Sequence, residues 1–290
     1  MEKEKIKRKM SPVDLHVHSN ESDGTVTPEE LVREAKKTGL SAFALTDHDT
    51  TAGLDRAIAC GEEEGVEVVP GIEFSTAYWG RDIHVLGYYM DYHNESFQKQ
   101  LIEFRNSRNV RNEEMFRRLR EFGFEKITED ALLEAFDNAV ITRAHIAKFM
   151  VDCGYVKSRE EAFQRYIGDN CPCYVERERI SPGKAVKLII EFGGVPVLAH
   201  PLLYKLGTEM LDALVVSLKE DGLKGIEAIY SNYNWREQRR LKLLAKKHEL
   251  IFTGGSDYHG TNKKNIKLGV GRGNLFVPVH CLLDIKSLKK

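Results

Sequence analysis

Seven short runs of apolar and β-branched residues alternate with stretches patterned for helix, and nothing else in the chain narrows its fold so far. The runs fall near 13–17, 42–46, 67–74, 83–89, 195–199, 225–229 and 250–254, with helical patterns near 28–38, 51–64, 182–192, 209–220 and 235–248. Such alternation predicts a parallel α/β architecture. Thr27 followed by Pro28 reads as an N-cap with proline at the first helical position. Gly39, Gly65 and Gly222 fall where a helix should end before the next strand. The segment AYWGRD (77–82) is too short for a helix, so the third and fourth strands should form a hairpin. From about 95 to 180 the alternation fails. Helical patterns at 96–122, 129–136, 142–152 and 159–168 follow one another with no strand between, which predicts a helical insertion and not a domain in series.

The strand ends carry an unusual set of side chains. The first run ends in VDLHVHSNESDG (13–24), where His16 and His18 project to the same side because a strand alternates its faces. Two adjacent imidazoles fit a core poorly, since each needs a partner, but they suit one metal ion. The pattern recurs. His48 follows the second strand in LTDHDT, Glu73 ends the third in GIEFS, His84 lies in the fourth in HVLGY, and His200 tips the fifth in LAHP. Asp257 and His259 repeat the same-side spacing after the last strand in GGSDYHG. Taken singly, Asp23 could be a turn residue beside Gly24, Asp47 and Asp49 could cap a helix, and His200 could bond within a loop. Six strand ends carrying imidazole or carboxylate predict a multinuclear metal site on one face of a barrel. His93, His248 and His280 fall elsewhere and read as surface or structural.

Bulk composition sets limits on partners. In 290 residues, 43 Lys+Arg nearly balance 44 Asp+Glu, for a net charge of −1, which argues against coating nucleic acid by charge alone. The opening MEKEKIKRKM lacks the apolar stretch of a signal peptide, and no run approaches the length needed to span a bilayer. Five cysteines, an odd number, read as reduced thiols, and Cys171-Pro-Cys173 lacks the second pair of a zinc site. A cytoplasmic protein with no obligate protein partner is expected.

These motifs, in order from residue 13 to about 260, closely resemble the polymerase and histidinol phosphatase (PHP) family of metal-dependent phosphoesterases. The resemblance implies a distorted (β/α)7 barrel, placed at 11–94 and 181–277, with a helical insertion at 95–180 covering the active site. It also implies three cations. His16, His18, Glu73 and Asp257 would hold the first; Glu73 would bridge to a second completed by His84 and His200; Asp23, His48 and His259 would hold the third. The family uses manganese, zinc or iron, and the mixed nitrogen and oxygen donors fit each of these. Manganese is the first expectation, and two or three ions are expected.

Clustered cations suit hydrolysis of a phosphate ester and require no serine or cysteine nucleophile. Asp14 and Asp47 are candidates to orient ligand imidazoles. Substrate choice should come from the insertion, where Arg105, Arg108 and Arg111 recur at intervals of three and so share a helix face. Arg117, Arg118 and Arg120 read as a solvated face paired with Glu113 and Glu114. Arg143 and His145 open another helix, where anions are favoured. This segment resembles the family's nucleotide-phosphatase branch, which removes the 3′-phosphate from nucleoside 3′,5′-bisphosphates and in part trims RNA from its 5′ end. The alternatives are a histidinol-phosphate phosphatase and a non-catalytic, metal-stabilised module. An arginine-rich insertion and a complete ligand set disfavour both.

Overall fold

Each of the seven expected strands forms, and they hydrogen-bond in chain order into one sheet. The computed structural model describes residues 12–137, 139–176 and 180–289. The opening MEKEKIKRKM and the side chain of Arg105 lie outside the described residues. The strands are β1 (Val13–Val17), β2 (Ala42–Leu45), β3 (Glu67–Tyr78), β4 (Arg81–Tyr88), β5 (Val195–Leu198), β6 (Gly225–Tyr230) and β7 (Ile251–Gly255). All neighbours are parallel except β4, which runs antiparallel to both β3 and β5. The expected hairpin is the cause: Trp79 and Gly80, at φ 50° and 71°, reverse the chain.

β1 and β7 nearly close the barrel. They meet through a bridge between Val17 and Tyr258, the His18 N–H donating to the Tyr258 carbonyl (3.0 Å) and the Asp257 N–H to the His16 carbonyl (2.8 Å). Gly255 permits this approach, because a Cβ there would lie 2.3 Å from the His16 Cβ.

Ten α-helices are described: α1 (Pro28–Thr38), α2 (Leu54–Glu64), α3 (Glu95–Glu121), α4 (Glu129–Ala135), α5 (Arg143–Asp152), α6 (Arg159–Ala162), α7 (Pro182–Glu191), α8 (Thr208–Glu220), α9 (Trp235–Lys247) and α10 (His280–Leu288). Thr27 caps α1 as expected: its side chain accepts from the Glu30 N–H while Glu30 reaches back to the Thr27 N–H. Three differences from the sequence reading have local causes. The start of α2 is delayed to Leu54, because the Asp49 N–H bonds the Glu73 carbonyl and the Ala52 N–H bonds Thr50 Oγ1. The helix expected over 159–168 turns from α to π geometry at Phe163–Ile167, where the Gly168 N–H reaches back five residues to the Phe163 carbonyl. α10 was not foreseen; it buries Cys281, Leu282 and Ile285 against Val13 and Val277.

Packing divides the molecule inside α3 and not at its start. Phe97 and Leu101 join the barrel-side core with Phe74 and Ile189, whereas Met115, Phe116 and Leu119 join a second core with Ile146, Met150 and Ile167. One continuous helix therefore roots the insertion in the barrel, with Arg108 and Arg111 at the crossing. No described helix is long and apolar enough to cross a membrane.

Candidate metal centre

Glu73 sits at the hub of the barrel face. It is 1 % exposed, and five imidazole nitrogens surround its two oxygens. Oε1 lies 2.9 Å from His84 Nδ1 and 3.0 Å from His200 Nε2; Oε2 lies 3.1 Å from both His16 Nε2 and His18 Nε2, and 3.2 Å from His48 Nδ1. The β3–β4 hairpin explains part of this convergence. Because β4 is reversed, it is the first half of that strand that meets the end of β3, with His84 opposite Ser75.

A second carboxylate, Asp257, points Oδ1 at His16 Nε2 (3.6 Å), His18 Nε2 (3.5 Å) and His259 Nδ1 (3.4 Å). Its other oxygen accepts from the Tyr230 hydroxyl (2.7 Å) and from Lys263 Nζ. A third, Asp23, has Oδ1 buried without a hydrogen bond, although His259 Nε2, His48 Nε2 and His18 Nδ1 approach to 3.2, 3.8 and 3.9 Å. Eight of the nine candidate residues fall into three overlapping groups able to hold an ion. His16, His18, Glu73 and Asp257 form one; His18, Asp23, His48 and His259 form another; His48, Glu73 and His84 form the third. His18 and His48 each serve two groups, a sharing that the sequence did not suggest. His200 meets the cluster through Glu73.

Electrostatics favour cations here. Burial opposes ionisation of Glu73, yet His16, His84 and His48 hold its carboxyl well below the usual range. Burial, with His259 and His48 beside it, pulls His18 well below the usual imidazole value. It therefore stays neutral and offers lone pairs. Ring centroids of His18 and His259 are 4.1 Å apart, a crowding that neutral imidazoles tolerate and charged ones do not. Asp23, Glu73 and Asp257 are all held ionised, and their buried negative charge requires compensation. Against the effect of burial, the surrounding carboxylates, Glu73 foremost, push His16 and His84 up towards the protonated form, a charge that a bound cation can supply instead. The orphaned Asp23 oxygen and this mixed oxygen and nitrogen donor set fit divalent transition metals.

The backbone is bent to make the site. His200, Asp49 and Asp257 occupy positive φ (23°, 55° and 55°), each beside the cluster. Aspartate adopts such angles comparatively readily, whereas His200 does so only where surrounding structure imposes it.

The residues around the ligands differ from expectation. Asp14 does not orient an imidazole; its oxygens accept from the Ser256 and Gly269 N–H groups, both at 2.7 Å, fixing backbone. Asp47 holds the Ser19 N–H (2.8 Å), the Ser19 hydroxyl and the Ser22 hydroxyl (both 2.6 Å), and reaches His18 only through Ser22. The orienting carboxylate is instead Glu227, which sequence reasoning missed. It is fully buried in β6, with Oε1 3.0 Å from His16 Nδ1 and Oε2 accepting from the His200 N–H at 2.7 Å. A carboxylate within GIEAIY, otherwise an apolar strand, was the available signal.

Beside the cluster opens a cavity of about 260 Å³ whose wall includes Asp23, His48, His84, Arg108, Arg111 and Arg143. Arg108 is buried, pairs with Asp49, donates to Ser75 Oγ (3.1 Å) and has its Nε without a partner. Arg143 reaches Asp82 and Asp169, both at 2.9 Å. Arg111 donates from Nε to Asn112 Oδ1 at 2.9 Å. His145 does not line this cavity: Nδ1 accepts from the Thr142 N–H (3.3 Å) as part of the α5 cap, and its ring stacks on Phe136. Arg117 and Arg118 pair with Glu114 on the outer face.

Residues 14–253 match the family described as PHP domain. The chain is 34% identical to a 5′-3′ exoribonuclease of Haemophilus influenzae, over 85% of this chain and 89% of that protein. It is 31% identical to a 3′,5′-nucleoside bisphosphate phosphatase of Chromobacterium violaceum, over 90% and 91%. Among solved structures, one from Bifidobacterium adolescentis, assigned as a metal-dependent phosphoesterase, superposes with a TM-score of 0.84 at 31% identity, covering 97% of both chains.

Proposed function

The chain belongs to the PHP domain family of metal-dependent phosphoesterases, and from that premise we propose that it removes the 3′-phosphate from nucleoside 3′,5′-bisphosphates. Short 5′-phosphorylated RNA is the second substrate of the same centre. Two or three divalent ions, manganese foremost with zinc or iron as alternatives, would be held by His16, His18, Asp23, His48, Glu73, His84, His200, Asp257 and His259.

One observation carries this reading: Arg108, Arg111 and Arg143 share a single cavity with the candidate ligands Asp23, His48 and His84. A substrate with two phosphates can place one at the cluster and the other against guanidinium groups, whose forked donors match phosphate oxygens. The two relatives named for nucleotide or RNA chemistry support the same assignment. Bound cations would supply activated water near neutral pH and take up charge on the phosphoryl oxygens. The protein's part is to fix the donors. Glu227 holds the proton on His16 Nδ1, so that Nε2 faces Glu73 and Asp257. Tyr230 and Lys263 hold one oxygen of Asp257 and leave the other towards the imidazoles.

Phosphate release with added manganese, measured on adenosine 3′,5′-bisphosphate, histidinol phosphate and a simple monoester, tests the proposal. The bisphosphate should exceed the others at least tenfold in kcat/KM, and chelation should abolish all three activities. Equal or better turnover of histidinol phosphate would overturn it.

A further inference from the structure

We propose that the seam between the insertion and the barrel is a track for the sugar-phosphate backbone of a single-stranded nucleic acid. The chain would continue from the phosphate held at the metal centre. The inference rests on the reading above and assigns the surface that carries the chain when the substrate is an oligonucleotide.

A groove of about 610 Å³, larger than the arginine cavity, lies along this seam. One wall is the end of α5 and the turn into α6, with Lys148, Lys157 and Arg159; the other is the loop after β7, with Thr261, Asn262 and Lys264. Four cations there outnumber Asp152 and Glu160, in a chain whose net charge is −1. Lys148 is matched by Asp152, but Lys157 and Lys264 are exposed along the groove. No aromatic side chain lines it. Cations and hydroxyls without stacking surfaces suit phosphates and not bases, so binding should be independent of sequence.

The groove adjoins the metal centre. Asn262 Nδ2 donates to the Asp23 carbonyl at 2.7 Å, and Arg159 donates to Asn262 Oδ1 at 2.6 Å. α5 spans the two spaces, with Arg143 at the arginine cavity and Lys148 to Asp152 at the groove. Five to nine helical residues correspond to about 7–13 Å, a step of one or two nucleotide units.

The chemistry is the same for both substrates. A water oxygen bonds to phosphorus, the bond from phosphorus to the 3′ oxygen breaks, and that oxygen takes the proton the water gives up. With a bisphosphate, the phosphate leaves free. With a chain, it stays on the downstream strand as a new 5′-phosphate, able to advance into the arginine cavity.

The test uses manganese-loaded protein and 5′-phosphorylated oligoribonucleotides with phosphorothioate linkages, one to six units long, with binding followed by anisotropy against salt. Affinity should rise over the first three or four units. In the Lys157→Ala/Lys264→Ala double variant, that gain should fall about tenfold, and the slope of log K against log salt should flatten by about 1.4, or 0.7 per lost contact. Affinity independent of length, or a variant with wild-type slope and affinity, would overturn the track. Hydrolysis of the mononucleotide bisphosphate by the wild type is read alongside. Its absence, with length-dependent binding intact, would count against the proposed reaction and not against the groove.

Discussion

Replacing Glu227 by glutamine exchanges one oxygen for an NH2 group in a side chain with no solvent exposure. The carboxylate serves two donors at once, His16 Nδ1 at 3.0 Å and the His200 N–H at 2.7 Å. An amide can accept from one of them, and its NH2 must then face the other. The bond lost is one to a charged group, about 1.5–3 kcal/mol. Outer-shell changes of this kind weaken metal affinity about 10- to 100-fold, or about 1.4–2.8 kcal/mol. The two ranges agree, so the whole loss can pass to the metal through His16. Competition with a chromophoric chelator for manganese measures it, and urea unfolding of the chelated protein separates metal affinity from fold stability. At least one site should bind tenfold more weakly. If affinity were unchanged while stability fell, Glu227 would support the barrel and not the imidazole, and the orienting argument would be wrong.

Glu73→Gln should retain the fold, being nearly isosteric, yet lose most activity and at least one bound equivalent of metal by elemental analysis; wild-type turnover would show the hub to be misassigned. Arg111→Ala and Arg143→Ala should each lower kcat/KM for the bisphosphate about ten- to a hundredfold while sparing a monoester without a second phosphate, and equal losses on both substrates would refute phosphate binding. Arg108→Ala should also destabilise the protein by about 3 kcal/mol in urea, because it removes the guanidinium paired with the buried Asp49 carboxylate; a stable variant would contradict that pairing. Burial pulls His145 down to about 4, against about 6.5 unfolded. Between those values the unfolded chain binds a proton that the folded protein does not, so acidification across this window should cost on the order of 3 kcal/mol. His145→Gln should flatten that dependence, and parallel pH profiles for variant and wild type would refute it.

Much of this was legible in the sequence because strand ends are local features. Runs of five to eight residues, mostly apolar, with His, Asp or Glu at or just past their ends, locate both the strands and most of the side chains that gather at their tips. Glu227 escaped because it lies inside a strand, where the pattern reads as core. Asp14 and Asp47 adjoin ligands in the sequence, yet their carboxylates turn to backbone and serine donors, a matter of geometry across the barrel that spacing does not encode. The shared use of His18 and His48 depends likewise on how far side chains reach between strands. His145 looked like an anion contact at a helix start; its ring caps that same helix. α10 begins after Val279 with no side-chain cap and so offered no start signal, and it packs on the apolar floor of the barrel.

The near-closure between β1 and β7 has a mechanical consequence. That join rests on few backbone bonds, and the residues it unites, such as His16 and Asp257, are far apart in the chain. His16 and His18 stand on one side of the join, Asp257 and His259 on the other. An ion gripping both sides would act as a clasp across this join, holding shut a loop of more than two hundred residues whose closure is otherwise entropically costly. Losing the ion would thus loosen the cylinder along one line first. Amide protons along that line, and not those of the β3–β4 hairpin, would be the first to exchange with solvent.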